Sequence, residues 1–214
     1  MLKKLLLVSL VIASPAAAEM REYRALSGGN DVGHLRVDIE GSQVTIDYDY
    51  KNNGRGPTIA EELTLDANGY PINWQITGAS TFGNPIDEMF QIENGMARWR
   101  DATGTGEAAL GDARFYVDQN GSPWSLALLA RALLADEDNS MPILPGGSAR
   151  IVAHGDAVFE GSDGPVSATT YEIAGLDLNP VYITLDADNR LFAFASPRFA
   201  VIRAGYEAAD QALR

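Results

Sequence analysis

Apolar and polar side chains alternate from Val32 to Ile39, pause at Gly41-Ser42, and alternate again from Gln43 to Tyr50. A period of two sends every second side chain to one face, so this stretch predicts a β-hairpin. The device recurs twice. Thr58 to Leu65 and Tyr70 to Thr77 flank Asp66-Ala67-Asn68-Gly69, and Asp87 to Ile92 and Met96 to Arg100 flank Glu93-Asn94-Gly95. Asn-Gly supplies the positive φ angles that tight hairpin turns need. Asn52 to Pro57 (Asn-Asn-Gly-Arg-Gly-Pro) predicts a loop on composition alone. Ala149 to Phe159, Val166 to Ile173, Val181 to Leu185 and Leu191 to Ala195 continue the strand pattern, with Asp186 to Asn189 as a turn before the last. Short connections make sequential strands antiparallel neighbours.

Two stretches break the period. Ser122 suits a helix cap and Pro123 a first helical position, and Trp124 to Ala135 then reads WSLALLARALLA, with Arg131 its sole charge. Twelve residues apolar nearly all round belong in an interior and are too short to cross a bilayer. The second stretch follows Ser196-Pro197. Phe199, Ile202, Tyr206, Ala209 and Leu213 fall at helical spacing, predicting an amphipathic helix over 197–214. The fold expected is mainly β (α+β): a curved antiparallel sheet or half-barrel of about nine strands wrapped on the apolar helix, plus a C-terminal amphipathic helix.

The first eighteen residues stand apart. Lys3-Lys4, an apolar stretch from Leu5 to Ala13, and Ala16-Ala17-Ala18 after Ser14-Pro15 have the order of a cleaved export signal. This divides the chain into a signal peptide, 1–18, and a single β-rich domain, 19–214, periplasmic or secreted after cleavage near Ala18. The full chain carries 16 basic and 29 acidic side chains, a formal charge of −13. Losing Lys3 and Lys4 takes −13 to −15 and leaves Lys51 as the one lysine. Such a charge opposes binding to nucleic acid or to an anionic membrane surface. The chain has no cysteine, which removes disulfides, thiolate metal sites and thiol nucleophiles.

Candidate chemistry is sparse. His34 and His154 are the only histidines, neither near a second imidazole, and a hydrolytic metal site draws on several. No Gly-x-Ser-x-Gly elbow exists, and Gly104-Thr105-Gly106 lacks the lysine and later glycine of phosphate-binding loops. Asp47 with Asp49 and Glu61 with Glu62 are candidate acid pairs by proximity, but Asp47 and Asp49 alternate with Ile46, Tyr48 and Tyr50, the pattern of a solvated strand face. Asp186 to Asn189 lacks the glycine and distal glutamate of a calcium loop. No catalytic residue, metal ligand or cofactor is predicted.

The order of several short motifs resembles a known family. Asn53-Gly54-Arg55-Gly56-Pro57, Glu61 and Leu65 to Pro71 come first, then Ala97-Arg98-Trp99, Phe115-Tyr116-Val117 and Leu128 to Leu134. Leu144-Pro145-Gly146-Gly147, Gly175 to Pro180, Asp186 to Ala193 and Ile202 to Glu207 follow. This series resembles the N-terminal β domain of exported bacterial amidohydrolases, metal-dependent hydrolases of amide or related C–N bonds with an imidazolonepropionase-like barrel. The resemblance implies a non-catalytic accessory domain that supports or orients a barrel absent here, the barrel holding the His-x-His and other metal ligands. In that reading the partner is the barrel, and Arg55 either anchors a partner carboxylate or fixes its own loop. A looser likeness of architecture points to half-barrel carriers of the bacterial envelope. There the partner is a lipid or other apolar ligand, held against Trp124, Leu126, Leu129 and Leu133.

Overall fold

The structure, a computed structural model, describes residues 18–214. The export signal expected over Met1 to Ala18 therefore falls on residues outside the described ones, save Ala18. Among the described residues the fold is mainly β, with one α-helix and one large, open, curved sheet.

The first half of the chain forms β1 (Glu19–Ser27), β2 (Asn30–Glu40), β3 (Gln43–Tyr50), β4 (Thr58–Leu65), β5 (Pro71–Ala79), β6 (Pro85–Glu93), β7 (Met96–Asp101) and β8 (Gly104–Ala109). After β9 (Phe115–Tyr116) comes the helix, α1 (Pro123–Ala135). The second half forms β10 (Ser140–Leu144), β11 (Ser148–Phe159), β12 (Val166–Ala174), β13 (Val181–Asp186), β14 (Leu191–Ser196) and β15 (Phe199–Arg203). All fifteen strands join one sheet in the order β8 to β1, then β15 down to β9, each antiparallel to its neighbours except the β9–β10 pair. The expectation of about nine strands is thus corrected upward. It missed β1, β8, β9, β10 and β15: β8 is glycine-rich, β9, β10 and β15 are five residues or fewer, and β1 carries four charged side chains among its nine residues.

Connectivity forces the curvature. Fifteen strands spaced about 4.8 Å apart would make a flat sheet roughly 67 Å wide. Yet the two outermost strands, β8 and β9, are consecutive in the chain, and residues 110–114 between them reach about 21 Å at full stretch. The sheet curls until its edges approach, and Tyr116 of β9 stacks on Phe90 of β6 with ring centroids 4.8 Å apart.

Alternation fills the interior. Leu35 and Val37, Val44, Ile46 and Tyr48, Ile59 and Leu63, and Trp74 and Ile76 are buried in a single hydrophobic cluster. That cluster also takes in Leu128, Leu129 and Leu133 of α1 and Ile151, Ile173 and Leu185 from the second half. A smaller cluster lies on the other face: in β15 Val201 joins the main cluster while Ala200 and Ile202 join the second, with Phe159, Phe192 and Tyr206.

The C-terminal helix expected over 197–214 is not formed. Phe199–Arg203 is a strand instead, bonded to β1 on one side and β14 on the other. A run apolar at successive positions suits a strand buried on both faces, and Val201 and Ile202 are β-branched. Gly205 then turns the chain at φ 88°, and Glu207–Gln211 is one 3-10 turn that packs Ala209 onto the second cluster. Helical spacing here was a coincidence of strand, turn and 3-10 geometry.

One strand is left partly bare. β10 pairs with β11 only at Ser148–Arg150, whereas β12 pairs with β11 as far as Phe159, with an extra residue bulged out between Ala153 and Gly155.

Candidate functional site

The Asn52–Pro57 loop is a two-residue hairpin. Asn53 and Gly54 both take positive φ, and Asn52 and Arg55 exchange backbone hydrogen bonds of 2.8 and 3.0 Å. Gly56 follows because a Cβ there would run into the Tyr50 carbonyl. Lys51 anchors the base: its ammonium donates to the Pro57 carbonyl and Thr58 Oγ1, each at 2.9 Å, and to Asp49 Oδ2 at 3.2 Å. Partial burial opposes the charge on Asp49, but hydrogen bonds from Thr58 and Lys51 outweigh it and hold this carboxyl below its usual range. Alongside, Ser80 to Asn84 makes a second tight loop that lifts Phe82 to 79% exposure. The two loops bound a cleft of about 560 Å³ lined by Lys51, Arg55, Thr58 and Phe82.

Arg55 is exposed, and among the described residues its guanidinium makes no ion pair. Backbone bonds and Lys51, rather than the Arg55 side chain, fix the loop. An exposed guanidinium and an exposed aromatic ring thus line one cleft.

The helix residues named with Arg55 lie elsewhere. Leu129 and Leu133 are 1% and 0% exposed inside the main cluster, Trp124 is buried with them, and Leu126 packs half-buried against it. The five residues form no common site.

Sequence reasoning overlooked the polar chemistry that seats this helix. Glu61 of β4 is 0% exposed, and its carboxyl accepts the Ser122 backbone N–H at 2.6 Å and the Trp74 indole N–H at 3.0 Å. Glu88 of β6, 1% exposed, accepts from the Tyr116 hydroxyl (2.8 Å), the Gln119 N–H (2.9 Å) and the Asn120 amide (2.9 Å). Asp118 caps the Gly121 N–H at 2.6 Å, and Asp101 accepts from the Gln119 amide at 3.1 Å. Glu61, Glu88 and Asp101 pin residues 116–122 onto β4, β6 and β7, while Asp118 braces the segment from within. Burial, with the like charge of Asp118 adding to it, pushes Glu61 up to about 8. Burial and then Glu88 push Asp118 up to about 6. Ser122 occupies the cap position, but its hydroxyl is buried without a partner and its N–H serves instead.

A signal for this existed. Glu61 falls between Ile59 and Leu63 on the inward row of its strand, and Glu88 between Ile86 and Phe90 on its own. An acid in an apolar row marks a buried acceptor. With donors filling both oxygens and no route from solvent, these groups are structural. Among the described residues no group of three or more histidine or carboxylate side chains is placed to hold a metal ion. His34 instead pairs with Asp47 at 2.8 Å, and the His154 ring sits edge-on to Tyr182. No helix among the described residues is long and apolar enough to cross a membrane.

No protein-family profile matches the chain, and no curated protein matches its sequence. A solved structure of a DUF1089 family protein from Pseudomonas aeruginosa is similar over 91% of this chain and 97% of that one, at 13% identity and a TM-score of 0.38.

Proposed function

We propose that this chain is the non-catalytic accessory domain of an exported amidohydrolase, working in the periplasm or outside the cell. Its curved sheet and α1 share one packed core as a filled scaffold, and its loops present contacts to a metal-dependent barrel. The observation that carries this reading is the packed helix. A carrier of apolar ligands would need Leu129 and Leu133 to face a groove, and both are sealed in the core. The chemistry left at the surface is of the docking kind, with Arg55, Lys51 and Phe82 round one cleft.

Reading the gene beyond codon 214 tests it. The expected result is an open frame encoding a barrel with His-x-His near its start; a stop codon there, with no separate barrel gene beside it, overturns the reading. Native mass spectrometry of protein purified from cells gives a second test. An unliganded mass is expected, and a stoichiometric bound lipid would establish the carrier in its place.

A further inference from the structure

Arg131 is a lone cation on an apolar helix, and its surroundings do nothing to neutralise it. Among the described residues it makes no ion pair, and the charges that bear on it are those of two other cations, Arg21 and Arg190. Although the side chain reaches solvent, desolvation by the surrounding protein and then these neighbours lower the affinity of its guanidinium for its proton. Of the nearby acids Glu19 is fully committed and Asp66 commits one of its two oxygens. Glu19 spends both oxygens on Arg21, at 2.9 and 3.0 Å. Asp66 accepts the N–H groups of Asn68 and Tyr70, at 2.8 and 2.9 Å, to hold its own turn. Arg190 has Asp188 at 3.5 Å.

Arg131 opens on a cleft of about 660 Å³ between α1 and the turns that join β2 to β3 and β4 to β5. Ile39, Val44 and Leu65 line its apolar side together with Trp124, two helical turns before Arg131 on the same face. The Asp66–Gly69 turn closes in on the guanidinium: a Cβ on Gly69 would sit 3.9 Å from Arg131 Nη2. The volume is that of a small-molecule site, and this apolar wall shares the lining with Glu19 and its partner Arg21, with Asp66 in its turn, and with Arg131, which among the described residues has no ion-pair partner.

We propose that this cleft binds a small organic carboxylate, its oxygens paired with the Arg131 guanidinium and its apolar body against Trp124 and Leu65. An anion there supplies the counter-charge the fold withholds, relieving the repulsion among Arg21, Arg131 and Arg190. The site is independent of the docking role proposed above and uses none of its residues.

Benzoate is the probe and benzamide, of the same shape without the charge, its control. Titration of the full chain, followed by the indole N–H resonance of Trp124, should give a saturable shift with benzoate and none with benzamide. Arg131→Gln should weaken binding roughly tenfold or more, since a charge-assisted bidentate pair is lost. Arg150→Gln, on the exposed side of β11, should leave it unchanged. No shift with benzoate, an equal shift with benzamide, or undiminished binding by Arg131→Gln overturns the proposal. If Arg131→Gln does not give a native spectrum, Arg131→Lys replaces it. An ammonium lacks the planar fork, so several-fold weaker binding is expected and full affinity overturns the site.

Discussion

The acids inside this molecule and the arginines on its surface solve opposite problems. Glu61 and Glu88 have left water entirely, and no cation accompanies them; neutral N–H and O–H donors fill their oxygens. On the surface Arg36 meets Glu22, Arg98 meets Glu107 and Arg100 meets Asp87, all in contact with solvent. The difference teaches where the charge of this acidic chain does structural work. A buried acceptor holds a particular backbone segment in place, because every lost partner leaves an unsatisfied group. A solvated ion pair is screened and replaceable.

Substitution separates the two regions most sharply at Glu61. Glu61→Ala strands the Ser122 and Trp74 donors and opens a void, and should cost about 4 kcal/mol in urea unfolding. Its exposed neighbour is the control, Glu62→Ala staying within about 0.5 kcal/mol. The second test is pH. Glu61 rises from 4.5 to about 8 on folding, so the folded chain holds the proton more tightly. Its contribution is fully present below about pH 4.5 and is lost as pH climbs through about 8. The melting temperature should fall across that window, with Asp118 adding a fall on the way to about 6. Glu61→Gln should flatten the upper part, and an unchanged profile in that variant would remove Glu61 as the cause. Next comes Tyr116→Phe, which takes one donor from Glu88 and should cost about 2 kcal/mol. Smallest is Arg100→Ala, which breaks the exposed pair with Asp87 and should cost less than about 1 kcal/mol. A loss there as large as that at Tyr116 would erase the distinction between the two regions.

The meander from Val32 to Arg100 was legible because its strands alternate cleanly and its turns carry Asn-Gly. Asn94 and Gly95, both at positive φ, join β6 to β7 as expected. The helix was legible too, in its apolar run and in Pro123 at its start. β8 was hidden because Gly104-Thr-Gly-Glu-Ala-Ala109 has little strand propensity; Gly106 is there to let Trp99 lie across it, a tertiary reason no local pattern shows. β9 pairs over two residues, too short for any period. Of the candidate site, Asn52 to Pro57 could be read as a loop, but not as the two-residue hairpin it forms. The fate of Leu129 and Leu133 could not be read, because an apolar helix looks the same lining a groove or filling a core. The arginine beside them drew notice only as an exception, and its cleft is assembled from turns distant in sequence.

The bulge in β11 has a bearing on how the exposed edge of that strand could pair. Its half-bare strand reads Ile151-Val-Ala-His-Gly-Asp-Ala-Val-Phe159, nearly a mirror of itself about Gly155. Were the strand regular, a second copy could lie antiparallel against it with Val152 opposite Val158, Ala153 opposite Ala157 and His154 opposite Asp156, the start of a sheet continued from molecule to molecule. The extra residue at His154 prevents the match. Ile151 belongs to the main cluster and Phe159 to the one on the opposite face, although eight residues of unbroken strand would have put both on the same side. Every would-be partner across the mirror is thereby turned to the wrong face, and the bulge blunts this edge.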